Sequence, residues 1–308
     1  MATAPPGTGI PGGRMDLVLQ GPGLADDAIQ AFCRAFPRAR LSMRPASIRL
    51  LGVDPAAAAD PVATLTERWR CDAAVVPAQL DFAAFRVLAM DMDSTLIRNE
   101  CIDELAEKAG RGAEVAAITA AAMRGELSDY AESLRRRVAM LAGTDASLLQ
   151  WVAEHRLQLS PGARRLLSAA RCSGLRTLLV TGGFGFFARR FQQDLDIDVV
   201  ESNELIIDDG RLTGEVRGPS TAPQALIDAR GKASALQRVC AGLGCGTDKA
   251  IAVGDGANDL PMLRLAGLSV AYRAKPQVRQ AADQRIDFSG LDGLLQWFNT
   301  GVVEPDRP

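Results

Sequence analysis

The chain has 308 residues, 47% of them hydrophobic and 23% charged, with a formal net charge of -2. That length supports a substantial core with two domains, or one domain carrying an insertion, and so balanced a charge argues against a nucleic-acid backbone as the main partner. A single histidine, His155, rules out a multi-histidine metal centre, and six cysteines with no C-x-x-C pair point to reduced thiols in a cytosolic protein rather than to a zinc or redox site.

Residues 1–14 are rich in Gly, Pro and Ala without an apolar stretch, and are expected to be a flexible tail rather than a signal peptide. No run of about 18 apolar residues follows, so no membrane span is expected and the protein is predicted to be a cytoplasmic enzyme. Residues 15–82 read as a small α+β domain. Met15 to Pro22 is a strand ending in a turn, and Leu24 to Phe36 has helical spacing. Ser47 to Val53 is a strand, Pro61 to Trp69 a short helix with Asp60 as N-cap, and Ala73 to Val76 a last strand.

Residues 83–308 follow a different grammar. The apolar run Arg86 to Met90 reads as a strand buried on both faces, and it stops abruptly at Asp91. Leu175 to Val180 ends likewise in Thr181-Gly182-Gly183, and Lys249 to Val253 in Gly254-Asp255-Gly256. Helical stretches lie between them, so a parallel α/β sheet is predicted, with ligands beyond the carboxyl ends of its strands. Residues 99–158 are mostly helical and read as an inserted cap; Leu205 to Val216 reads as a hairpin turning at Asp209-Gly210. The run Arg135-Arg136-Arg137 reads, for at least two of its members, as a solvated helix face.

Three clusters carry chemistry. In Asp91-Met92-Asp93-Ser94-Thr95, two carboxylates just past a buried strand can divide labour, one ionised as nucleophile or metal ligand and the other holding a proton as general acid. Asp91, Asp93 and Asp255 could together supply a hard oxygen site suited to Mg²⁺. Thr181 and Gly182 offer a hydroxyl and backbone N–H groups as a phosphate cradle, and Lys232 offers a point charge for a phosphoryl group. Gly183 to Ala188 also matches the G-x-G-x-x-A dinucleotide spacing, but Phe186 and Phe187 crowd it and it accounts for none of the aspartates.

D-x-D-S-T, then T-G-G, then Lys, then G-D-G-x-N-D is an order that resembles the haloacid dehalogenase superfamily of phosphohydrolases, over residues from about 85 to 290. The stretches Asp91 to Ala106, Met123 to Leu127, Ser133 to Val138 and Val253 to Leu263 are similar to the phosphoserine phosphatase family in particular. The resemblance implies a Rossmann-like parallel sheet with a helical cap, preceded by a regulatory-type (ACT-like) α+β domain. It implies Mg²⁺-dependent hydrolysis of O-phospho-L-serine through an aspartyl-phosphate on Asp91, with Asp93 as general acid and base. Glu100 would bind the substrate ammonium and Arg137 its carboxylate; Met123 would pack on the substrate and Asn258 would hold the phosphate loop, with Asp259 behind it. Where the family usually has phenylalanine this chain has Tyr130, and Ser128-Asp129 lengthens the loop before it by one residue. A small-molecule substrate is thus expected, a homodimer is compatible with the resemblance, and transfer of the phosphoryl group to an alcohol is the alternative these residues leave open.

Overall fold

A computed structural model of the chain describes residues 14–123, 130–220 and 222–302. The first elements are β1 (Met15–Gln20), α1 (Asp26–Ala35), β2 (Arg40–Arg44), β3 (Ser47–Val53), α2 (Pro55–Trp69) and β4 (Asp72–Pro77). The strands pair antiparallel in the order β2-β3-β1-β4. Leu17, Leu19, Ile48 and Leu50 meet Phe32 and Ala58 in a core of their own. Two features differ from the sequence expectation. Strand β2 was not foreseen; only the alternate residues Ser42 and Arg44 are half-buried, so its apolar signal is weak. Helix α2 starts at Pro55 rather than Pro61, because Asp54 caps it through Ala56 N–H at 3.0 Å and a proline suits the first turn. Pro61 is therefore inside the helix and Asp60 is not its cap.

Further along come β5 (Val87–Met90) and four cap helices, α3 (Cys101–Lys108), α4 (Gly112–Met123), α5 (Tyr130–Ala139) and α6 (Ser147–His155). After them follow α7 (Ala163–Cys172), β6 (Arg176–Phe184), α8 (Gly185–Leu195), β7 (Val199–Asp208), β8 (Arg211–Arg217) and α9 (Ala229–Gly242). The chain closes with β9 (Ala250–Gly254), α10 (Leu260–Leu265), β10 (Leu268–Tyr272), α11 (Pro276–Ala281) and β11 (Gln284–Ile286). The strands run in the order β11-β10-β9-β5-β6-β7-β8. The pairs β9/β10, β10/β11 and β6/β7 are parallel and β7/β8 is antiparallel, so the sheet is mostly parallel, as the alternation of strands and helices predicts. The expected helical cap is likewise present, with no strand among its described residues.

By internal contacts the chain divides into two compact units: Met1–Leu88 with Pro161–Thr177 and Cys240–Pro308, and Ala89–Ser160 with Leu178–Val239. Within the first, the N-terminal sheet is stitched to the C-terminal segment. The Asp72 carboxylate accepts the N–H groups of Asp287, Phe288 and Ser289, and the Phe82 and Phe298 rings meet edge to face at 4.8 Å. Within the second, the turn at Asp209-Gly210 has positive φ at both residues (43° and 71°), the backbone a two-residue hairpin needs. The cap is pinned to this hairpin by Gly143 N–H to Leu212 O at 2.8 Å and Ala146 N–H to Gly210 O at 2.9 Å.

Candidate active site

Strand β5 is buried throughout, and the chain leaves it at Asp91 through a wide turn. Leu96 N–H bonds Asp91 O at 3.2 Å and Ile97 N–H bonds Met92 O at 3.0 Å. These five-residue spans open the turn beyond an α-helical one, so its side chains are re-aimed at the strand end. Ser94 takes a φ of 55°, a left-handed conformation costly for a residue with a Cβ and found most often at functional sites. Its hydroxyl donates to Glu100 Oε1 at 2.7 Å, which ties Glu100 to the same turn.

Asp91 and Lys232 form a buried ion pair: Nζ lies 2.7 Å from Oδ1, with the lysine side chain 0% exposed. The same Oδ1 accepts Met92 N–H at 2.7 Å. Burying an ammonium this deeply is costly unless an opposite charge stands beside it, and Asp91 is so placed. Asp93 is turned elsewhere. Its Oδ1 accepts Cys101 N–H at 2.8 Å and its Oδ2 the Thr181 hydroxyl at 3.3 Å. Burial pushes the Asp93 carboxyl above its usual range, with the Cys101 hydrogen bonds and the Lys232 charge pulling the other way. The two carboxylates thus stand in different environments, one paired with a cation and the other desolvated.

Thr181 Oγ1 also accepts Gly183 N–H at 2.8 Å within the last residues of β6, where the strand runs on past Val180 to Phe184. Gly182 is required by close approach: a Cβ there would lie 2.0 Å from Tyr130 Oη and 3.2 Å from Ile227 O. Tyr130 itself is desolvated, its hydroxyl pushed up to about 12. Behind the cradle, Asn203 at 0% exposure donates to Gly182 O at 2.8 Å and accepts Ile227 N–H at 2.7 Å. Sequence reading assigned no role to Asn203 or to Cys101, although Cys101 lies within the stretch Asp91 to Ala106; a buried-strand asparagine was the signal for Asn203. Arg137 on α5 is half-buried, bonds Ser133 O through Nε at 3.4 Å and has no carboxylate ion-pair partner among the described residues. Its neighbour Arg136 is paired with Glu132. Met123 ends α4, but its side chain, Arg124 to Leu127 and Ser128-Asp129 lie outside the described residues.

In the other unit, β9 ends in a loop organised by Asp259, which is 0% exposed. Its Oδ2 accepts Asp255 N–H at 3.0 Å and Gly256 N–H at 2.9 Å, and a Cβ on Gly254 would lie 2.5 Å from its carboxylate. Asn258 is half-exposed on the turn Ala257–Asp259. Asp91, Asp255 and Asp259 are all buried carboxylates that can offer oxygen ligands. Such an all-oxygen set fits a hard divalent cation. The Asp93 carboxylate is engaged by the Cys101 N–H and the Thr181 hydroxyl. The other expectations outside the site stand as follows. Phe187 of the dinucleotide-like stretch is core, and His155 is an exposed residue of α6 stacked on Trp151 at 4.8 Å. None of the described helices is long and apolar enough to cross a membrane.

A buried carboxylate at the end of β5 with a helix-borne lysine on it, a second desolvated carboxyl and a hydroxyl-glycine segment at the end of β6 together define a class. The chain belongs to the haloacid dehalogenase-like hydrolases, whose family model matches residues 88–264. Within that class it falls in the phosphoserine phosphatase family. It is 51% identical over 222 residues to a phosphoserine phosphatase of a Polaromonas species, covering 72% of this chain and 93% of that one. A haloacid dehalogenase family hydrolase from Salmonella enterica serovar Typhi is similar in structure (TM-score 0.82, 30% identity, 92% of this chain and 98% of that one). A phosphoserine phosphatase solved as an analogue of its phospho-aspartyl intermediate is similar over 70% of this chain and 99% of its own (TM-score 0.63, 33% identity).

Proposed function

We propose that this chain hydrolyses O-phospho-L-serine to L-serine and phosphate, with Asp91 as nucleophile. The observation that carries the reading is the buried Asp91–Lys232 pair beside a desolvated Asp93. Asp91 attacks phosphorus and forms an aspartyl-phosphate as the bond to the serine oxygen breaks. Asp93 gives its proton to that oxygen, then takes one from the water that attacks the intermediate, releasing phosphate and restoring both groups. Lys232 offsets the repulsion between a carboxylate and a phosphate dianion, and Thr181 with the Gly182 backbone receives the phosphoryl oxygens.

Mg²⁺ is the divalent ion we assign, held by Asp91, Asp255 and the backbone carbonyl of Asp93, and it would supply positive charge opposite the phosphoryl group. Asp259 sets the loop that presents Asp255. Arg137 takes the substrate carboxylate, and Glu100 takes the ammonium. Met123 and Tyr130 close the cap side and Asn258 steadies the phosphate loop. Residues 15–82 are assigned as a separate regulatory-type domain on the strength of their own sheet and core. The six free cysteines favour a cytoplasmic location.

Phosphate release from L-phosphoserine, phosphoethanolamine and a sugar phosphate, with Mg²⁺ and then with EDTA, tests the reading. We expect Mg²⁺-dependent release with a strong preference for phosphoserine. Even rates across the panel would discard the substrate, and EDTA-resistant turnover would discard the metal.

A further inference from the structure

Beside the cradle, α5, the segment before α9 and α9 itself line an open cavity of about 660 Å³ that the hydrolysis does not use. Neither Asp91, Lys232 nor Arg137 lines it; Arg135, Gln224, Asp228, Arg230, Ser234 and Arg238 do. Three guanidiniums thus face one carboxylate, and that carboxylate is occupied, Asp228 Oδ1 accepting Gly231 N–H at 2.8 Å. Arg238 is bonded to Glu201 at 3.0 Å. Arg135 and Arg230 are exposed, and neither has a hydrogen-bond or ion-pair partner among the described residues. Arg136, by contrast, has its glutamate one turn away on α5.

We propose that this cavity is a second anion site, for a small molecule carrying two oxyanionic groups, phosphate or carboxylate. Its volume is that of a small-ligand pocket rather than a macromolecular surface. Arg135 and Arg230 come from different elements, so each can grip one oxyanion with its planar fork while Gln224 and Ser234 supply further polar contacts. The cavity shares its wall with the catalytic cradle: Ile227 lines it and is bonded to Asn203, which holds Gly182, and Gly231 lines it next to Lys232. A ligand here would stiffen the segment that carries Lys232, which gives it a route to affect turnover.

The test is arginine footprinting of the whole protein with phenylglyoxal, read by peptide mass spectrometry, with and without inorganic pyrophosphate and in the absence of divalent metal. We expect protection of Arg135 and Arg230 but not of Arg136. Protection of Arg137 alone would place pyrophosphate in the substrate site and overturn the second site, and so would equal protection of all four or of none. A calorimetric titration of R135A/R230A should show pyrophosphate binding at least about tenfold weaker than in the wild type. Its kcat and KM for phosphoserine should stay within about twofold in the absence of pyrophosphate, because neither arginine reaches the reacting groups. Unchanged pyrophosphate affinity in that variant would also overturn the proposal.

Discussion

In the N-terminal sheet, Asp72 turns its carboxylate to three consecutive N–H groups, those of Asp287, Phe288 and Ser289, and buried Arg49 spans Asp16 and the carbonyls of Gln296 and Trp297. At the end of β5, Asp91 instead meets a buried ammonium as well as an N–H, and Asp93 meets a hydroxyl at 3.3 Å as well as an N–H. Both regions bury charge, and burial alone does not separate a structural carboxylate from a catalytic one. The difference lies in the partners. Asp72 is bonded by backbone whose position the fold already fixes, so its work is to hold two segments together. Asp91 and Asp93 each add to a backbone N–H a side chain that bears charge or an exchangeable proton, Lys232 on the one and Thr181 on the other.

The largest effect we expect comes from Asp91→Asn. Turnover of phosphoserine should fall by at least about 10³-fold, because an amide is neither a nucleophile nor a partner for Lys232. Residual activity of wild-type size would return Asp91 to the structural class occupied by Asp72. Next is Arg137→Ala, for which KM for phosphoserine should rise by about 10- to 100-fold while phosphoethanolamine, lacking a carboxylate, changes by less than about threefold. Equal losses on both substrates would mean that Arg137 supports the cap rather than reading the ligand. Asp72→Ala should separate the two regions from the other side. It leaves three N–H groups without their acceptor and should cost about 2–4 kcal/mol of stability in a denaturant titration, with kcat per folded molecule unchanged. A fall in kcat with unchanged stability would break the distinction drawn here.

The strands β5, β6 and β9 were legible in the sequence because their logic is local: each is an apolar run that gives way to polar residues and glycine, although β6 continues past Val180 to Phe184. The hairpin was equally local, since Asp209-Gly210 names its own turn. What was not legible depends on residues far apart in the chain. Cys101 and Asn203 matter through a backbone N–H and an amide placed by folding, which the identity of a cysteine or an asparagine does not announce. Strand β2 hid for the opposite reason, since a largely exposed strand has too little apolar alternation to announce itself. The start of α2 was misplaced because Asp60-Pro61 and Asp54-Pro55 carry the same cap signal, and only the structure chooses between them.

The smallest effect concerns the residue that departs from the family pattern. Tyr130 packs its hydroxyl against the Gly182 backbone, and desolvation pushes that hydroxyl up to about 12, with Lys232 and Arg137 pulling it down. A phenol loses its proton only as pH rises through its pKa, so below pH about 11 it stays neutral. It therefore contributes no charge to the site under working conditions, and its contribution is shape. Tyr130→Phe should then change kcat/KM by less than about threefold and leave the pH–rate profile between about pH 6 and 10 superimposable on that of the wild type. A lost or shifted limb in that range would show that the hydroxyl takes part in proton movement. Gly182→Ala is the matched control for shape: with a Cβ 2.0 Å from Tyr130 Oη it should impair the wild type, and Tyr130→Phe should restore part of that loss.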